Sequence, residues 1–209
     1  MIKVGCCGFP VKRDIYYQNF PVAEVQQTFY QLPQIATGKR WREEAPPDFE
    51  FIMKAWQLIT HDPSSPTYRR LRMVIPEEKK KDYGFFKGTE EVEVAWSKTA
   101  EFARTLGARK IVFQSPASFH PTNDHIKNLK QFFNKIERHC FTFIWEPRGR
   151  WERDEVERLC MGLTVTPCLD PFGERSIRGD FLYVRLHGRT GYHYSYGVAE
   201  MEELIRMGK

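Results

Sequence analysis

Short apolar or alternating runs recur along the chain at residues 2–8, 24–30, 49–56, 110–114, 141–146, 163–170 and 181–187, each of strand length. Between several of them the apolar positions switch to helical spacing. In 91–106, Val94, Phe102 and Leu106 precede a stop at Gly107; in 123–139, Ile126, Leu129, Phe133 and Ile136 share a face. In 154–161, Val156, Leu159 and Cys160 follow Asp154, and 200–207 reads as a last short helix. Repeated strand–helix units predict an α/β fold with a parallel sheet and crossover helices, either doubly wound or closed as a barrel. The stretch 58–90 interrupts this rhythm with Pro63, Pro66 and Pro76 and several basic residues. Longer than an ordinary loop, it reads as a lid-like insertion within a single domain spanning 1–209, or as a plain surface excursion.

Strand parity then says where the polar groups go. Glu24, Gln26, Thr28 and Tyr30 share a face, as do Ile52, Lys54 and Trp56. Ile144, Glu146 and Arg148 share another, as do Thr164, Thr166, Cys168 and Asp170, and Tyr183, Arg185 and His187; Gln114 closes its own strand. Charged and amide groups therefore gather toward the C-terminal ends of several strands. In a parallel sheet those ends form one edge, where barrel mouths and crevices bind ligands. Burying such groups singly is costly, so they meet each other in an ion-pair lattice or meet a ligand.

Lys54 lies in the otherwise apolar Phe51-Ile52-Met53-Lys54-Ala55-Trp56 and is expected to find a carboxylate, Glu146 or Asp170; a desolvated lysine is also a base or Schiff-base nucleophile. Glu146 and Asp170 end neighbouring strands, where two carboxylates can divide acid and base work, or hold a divalent metal together with His187. Arg148 and Arg185 are suited to clamp a phosphate or carboxylate. His61 follows the third strand and suits either lid contact or turn capping.

Composition narrows the class. The 209 residues are 41% hydrophobic and 28% charged, which suits a folded domain. No apolar run is long enough to span a membrane, and MIKVGCCGF lacks the pattern of a signal peptide, so a cytoplasmic protein is expected. The net charge of +5 permits an anionic ligand or a weak nucleic-acid contact. The five cysteines form no Cys-x-x-Cys pair, and Cys6 and Cys7 read as small buried hydrophobes. Walker, dinucleotide-binding, serine-hydrolase and His-Glu-x-x-His motifs are absent.

A set of short motifs in order carries a family resemblance. They are Gly5-Cys6-Cys7-Gly8-Phe9, Glu24 through Tyr30, Phe51 through Lys54 with Ile59-Thr60-His61, Gly107, and Val112-Phe113-Gln114-Ser115-Pro116 leading to Phe119. Glu146-Pro147-Arg148 with Trp151, Asp170, and Tyr183-Val184-Arg185-Leu186-His187-Gly188 with Tyr192 and Tyr196 complete the set. The chain resembles domain of unknown function 72, the YecE-like TIM-barrel family. The resemblance implies a TIM-like barrel with these polar residues at its C-terminal mouth, and supplies no reaction. Where Gln26 and Cys7 stand, the family usually has Asn and Ser. Seven strands are counted here where a barrel has eight, which would leave the first and seventh with open edges. A truncated chain, a neighbouring copy in a homo-oligomer or the last helix would account for that gap.

Three functions are compatible with these features. The first is an enzyme, a hydrolase or isomerase, acting on a small phosphorylated or carboxylated molecule by acid–base or metal-assisted chemistry. Glu146, Asp170, His187 and Lys54 would be its catalytic groups, and Glu24, Gln26, Tyr30, Gln114, Arg148, Trp151, Arg185 and Tyr192 its substrate contacts. The second is a nucleic-acid binder using Trp41, Trp56, Tyr68 and Arg69-Arg70-Leu71-Arg72. The third is a non-catalytic degenerate barrel.

Overall fold

The computed structural model describes residues 1–172, 181–191 and 193–207. Seven strands, β1 Gly5–Cys7, β2 Val22–Val25, β3 Glu50–Lys54, β4 Lys110–Gln114, β5 Thr142–Glu146, β6 Thr166–Leu169 and β7 Tyr183–Val184, lie side by side in chain order. Every neighbouring pair is parallel. Helices fill the crossovers: α1 Arg13–Asn19, α2 Gln27–Tyr30, α3 Ile35–Glu44, α4 Gln57–Thr60, α5 Glu77–Lys80, α6 Glu90–Leu106, α7 Asn123–Lys135 and α8 Arg153–Leu163. The helix α9 Val198–Met207 follows β7. This is a curled, TIM-like α/β half-barrel with no eighth unit among the described residues. No helix among the described residues is long and apolar enough to cross a membrane.

Alternation along the strands separates two cores. Outward residues such as Ala23, Phe51, Met53, Ile111, Phe113, Phe143 and Trp145 pack under the helices. Inward residues Val22, Ile52, Val112 and Ile144 fill the barrel, with Cys168 and Tyr183 against them. The helices follow from the same logic. In α6 the buried Val92, Ala95, Trp96, Thr99, Ala100 and Ala103 recur at three- and four-residue spacing, and Glu90, Glu91 and Glu93 sit at the positive end of the helix. In α7 the Thr122 hydroxyl accepts from the His125 amide at 3.2 Å.

Several expected boundaries move, each for a local reason. The second strand ends at Val25 instead of running to residue 30. Gln26 turns to helical backbone (φ −80°), and the Thr28 hydroxyl sits 2.9 and 2.7 Å from the Val25 and Lys54 carbonyls, satisfying two strand ends at once. Parity from Glu24 to Tyr30 therefore fails. The third strand ends at Lys54, so Trp56 enters the outer core instead of sharing the face of Lys54. The sixth strand starts at Thr166, because α8 continues to bury Leu163 and ends at Thr164 in a left-handed conformation (φ 53°). The last strand keeps only Tyr183 and Val184, with one more ladder bond from the Arg185 amide to the Leu169 carbonyl at 2.9 Å. The first strand shortens to Gly5–Cys7, and α7 stops at Lys135 rather than at 139. α1 and α3 carry too few core positions to show in the pattern: α1 buries Tyr16 alone, α3 only Gly38 and Trp41.

The stretch 58–90 is tied back onto the helix that begins it. The amides of Gly84 and Phe86 donate to the carbonyls of Leu58 and Ile59 at 2.9 Å each, and the Tyr68 hydroxyl donates to the His61 carbonyl at 2.8 Å. Gly84 holds φ +75°, and a Cβ there would meet the His61 carbonyl oxygen at 2.2 Å. Both backbone strain and overlap oppose a side chain, so Gly84→Ala is expected to destabilise the fold by about 2 kcal/mol or more. Urea unfolding checks this; a midpoint within error of the parent would show that the return strand is not anchored there.

Candidate functional site

The upper layer of the barrel interior is polar. One side chain each from β2, β3, β4 and β5 points in at the C-terminal end: Glu24, Lys54, Gln114 and Glu146, with Arg185 just past β7. Glu24, Lys54 and Glu146 are 3%, 5% and 3% exposed. Groups so buried must be satisfied internally, and the contacts show how.

Glu146 is the hub. Arg185 donates to its Oε2, Arg148 lies 2.6 Å from its Oε1, and His187 Nε2 is 3.2 Å from the same oxygen. Burial would raise its pKa, but the hydrogen bond from His187 and the charges of Arg185 and Arg148 outweigh it and hold the carboxyl down at about 2. Glu24 takes hydrogen bonds from the Tyr183 hydroxyl and the Gln26 amide, with Arg185 at 3.5 Å. Arg185 thus spans both carboxylates, which pushes its own pKa up despite burial. It also reaches Cys7 Sγ at 3.1 Å, from the opposite side of the open seam between β7 and β1.

His187 sits between two carboxylates, with Nε2 facing Glu146 and Nδ1 facing Asp170 Oδ2 at 3.4 Å. Arg148 also lies 2.8 Å from Nε2. One ring nitrogen cannot donate to Glu146 and accept from Arg148 together. The proton on His187 therefore decides which neighbour it binds, an arrangement suited to moving a proton. The Gly188 amide, donating to the Tyr196 hydroxyl at 2.8 Å, anchors the turn that places the ring. Gly188 itself holds φ +77°.

Lys54 corrects an expectation. Among the described residues it forms no ion pair; Nζ donates to Gln114 Oε1 at 2.6 Å and lies 4.2 Å over the Phe29 ring. Burial, aided by the charges of Arg185 and Arg148, pulls its pKa down to about 8 against the pull of Glu24 and Glu146. Beside it His61, edge-on to Phe29 at 4.7 Å, is kept neutral by burial and by Lys54, its pKa near 3.

Other expected site residues separate from this group. Tyr30, on α2, stacks under Arg70 at 3.7 Å and faces a cleft of about 830 Å³ beside the mouth, which Lys12, Arg13, Gln26 and Trp41 also line. Trp151 packs on Trp145 and donates to the Phe119 carbonyl at 2.6 Å, tying a loop to the outer core. Tyr192 lies outside the described residues. Cys7 is exposed rather than a buried hydrophobe, because β1 has no neighbour on its outer side among the described residues. Tyr183 and Cys7 are mouth residues outside the expected set, although the parity of Tyr183 with Arg185 and His187 marks it. Among the described residues no three His, Cys, Asp or Glu side chains converge as metal ligands. Two guanidinium groups already occupy Glu146, and like charge opposes a further cation there.

The parallel strand order is matched by known proteins. The family model described as "Protein of unknown function DUF72" covers residues 12–208. The chain belongs to the DUF72 family. Its fold is that of DUF72 family proteins of solved structure. One from Enterococcus faecalis V583 superposes with a TM-score of 0.70 at 17% identity, over 99% of this chain and 85% of that one. Another from Thermotoga maritima MSB8 gives 0.64 at 18% identity, over 100% and 86%. By sequence, 49 residues are 35% identical to the UPF0759 protein YunF of Bacillus subtilis (strain 168), 23% of this chain and 17% of that protein. The chain thus spans under a fifth of that relative's length in the matched stretch.

Proposed function

We propose that the barrel mouth is the active site of an enzyme that moves protons on a small carboxylated or phosphorylated molecule. The observation that carries this reading is His187 suspended between Glu146 and Asp170 with Arg148 against the same ring nitrogen. Glu146, kept ionised, orients the imidazole; Asp170, one-third exposed, faces the solvent side of the ring. The Arg148 side chain is also about one-third exposed, and its guanidinium keeps donors turned away from Glu146 for a ligand's oxygens. An anion there draws Arg148 off the ring nitrogen and frees His187 to exchange its proton with substrate. Gln114 and Gln26 supply neutral amides beneath.

The test has two parts. Inorganic phosphate titrated into the protein is expected to shift the His187 ring-nitrogen NMR signals saturably, and Arg148→Met to weaken that binding at least about tenfold, the equivalent of one charge-assisted contact. In heavy water, a panel of 2-oxo acids and sugar phosphates is screened for deuterium entering next to the carbonyl. Exchange is expected to fall about 100-fold or more in His187→Gln, a variant that leaves phosphate binding intact. Absence of phosphate binding at the mouth would overturn the reading.

A further inference from the structure

Lys54 is the odd member of the mouth. Arg185 and Arg148 lie against Glu146, His187 bridges Glu146 and Asp170, and Glu24 accepts from Tyr183 and Gln26. The Lys54 amine, equally buried, instead has a neutral amide oxygen and an aromatic face. A lysine serving only to balance charge would sit against a carboxylate. This one is held off Glu146 by Gln114, which accepts from Nζ on one side and hydrogen-bonds Glu146 on the other. The backbone gives Nζ little freedom. Lys54 ends β3, and its carbonyl is held by Thr28.

We infer that Lys54 is the nucleophile of this site and that the substrate is a carbonyl compound, an aldehyde or 2-oxo acid bearing the carboxylate or phosphate that Arg148 holds. The inference rests on the reading of the mouth as an anion-binding, proton-moving site and names the chemistry that its protons serve. The nitrogen lone pair forms a bond to the carbonyl carbon, and the carbonyl π pair moves to oxygen, which takes the proton that the nitrogen gives up. The resulting carbinolamine loses water as its C–O bond breaks and nitrogen forms the C=N bond, the departing hydroxide taking a proton from the His187 set. The overall change is amine plus carbonyl plus one proton, supplied by the His187 set, to protonated imine plus water, so no oxidant or reductant enters. The protonated imine then withdraws electrons from the adjacent carbon, and His187 has a proton to remove or return. Burial keeps about a quarter of Lys54 as free amine at about pH 7.5, since its pKa lies at about 8. An exposed lysine holds a fraction about a hundredfold smaller at about pH 7.5.

Glyoxylate, pyruvate and dihydroxyacetone phosphate are the probes, each incubated with the full chain and trapped with sodium borohydride. Peptide mass mapping then locates the reduced adduct. At least one probe is expected to label Lys54 ahead of every other lysine, at a rate falling about tenfold per pH unit below about pH 8. Lys54→Arg keeps the charge and the fold, checked by circular dichroism, and is expected to abolish that adduct. Lys54→Met serves if the arginine variant is unfolded. No adduct on Lys54 from any of the three probes overturns the inference, as does labelling spread evenly over surface lysines. Inorganic phosphate separates this result from the reading it rests on. If phosphate slows alkylation of Cys7 but no imine forms, the anion site stands and the nucleophile is refuted. If the imine forms and phosphate neither slows it nor protects Cys7, Lys54 stands and the anion site is refuted.

Discussion

Replacing Glu146 with alanine is expected to destabilise the protein by about 3–5 kcal/mol, the range for removing one partner from a buried ion pair. The side chain is the shared acceptor of Arg185, Arg148 and His187. Of these Arg185 suffers most, because it stays buried with only Glu24 at 3.5 Å and the Cys7 sulfur as partners. Glu146→Gln retains the shape and one acceptor oxygen, so its loss should be smaller, while any proton transfer at the mouth should still fall by about 100-fold or more. Urea unfolding measures the first effect and deuterium exchange the second. The acid limb of the stability curve is an independent check. The folded carboxyl stands at about 2 against an ordinary value of 4.5. A depressed acid contributes stability that is complete above the unfolded value and disappears as pH falls from about 4.5 to about 2. Here the contribution is about 3 kcal/mol. The alanine variant should lose less between those pH values than the parent. Parallel acid limbs, or a loss below about 1 kcal/mol for Glu146→Ala, would show that this cluster does not support the fold.

Lys54→Met is expected to act in the opposite direction, raising stability near neutrality by about 2 kcal/mol. The buried amine has a pKa of about 8 in the fold against 10.5 outside it. For a base depressed in this way, the folded state carries the full penalty below about pH 8. Stability then rises between about 8 and 10.5, where the unfolded chain binds a proton that the folded chain has released. That penalty is about 3 kcal/mol. Methionine fills a similar volume and removes it, and loses the hydrogen bond to Gln114 Oε1, about 1 kcal/mol. The variant should therefore melt higher at pH 7, and its stability should no longer climb in the alkaline range. It should also lose the imine chemistry, the usual exchange between stability and a working site. A lower melting point at pH 7 would mean that Lys54 is held by attractions this geometry does not contain.

Parts of the mouth were legible residue by residue. Parity within β5 sets Glu146 on the inward face with Ile144, Arg148 reaches it from just beyond the strand end, and the run Tyr183, Arg185, His187 turns one face inward although its strand is short. Parity broke down at Gln26, where the backbone turns into the short helix α2 and carries Tyr30 toward Arg70 and the outer cleft. An alternating pattern is readable only while the backbone stays extended, and nothing in Gln-Gln-Thr-Phe-Tyr announces the turn that Thr28 stabilises. Trp151 misled for a similar reason. An aromatic residue after a strand end suits a pocket wall, but its indole nitrogen had a nearer partner in the Phe119 carbonyl.

The chain's own pattern was enough to determine the seven strands, their common direction and the edge on which Lys54, Glu146, Arg185 and His187 emerge, because apolar periodicity and crossover handedness are local and additive; it left the sheet open between a doubly wound order and a barrel, and α1 to α4 unread. Partnership was decided only in three dimensions. The stagger of β3 against β4 sets Lys54 beside Val112 and leaves its amine to Gln114, and the curl of the sheet brings Arg185 and Tyr183 across to Cys7 and Glu24. Register and curvature are properties of the assembled sheet, and a shift of one residue or one strand would have paired the same charges differently.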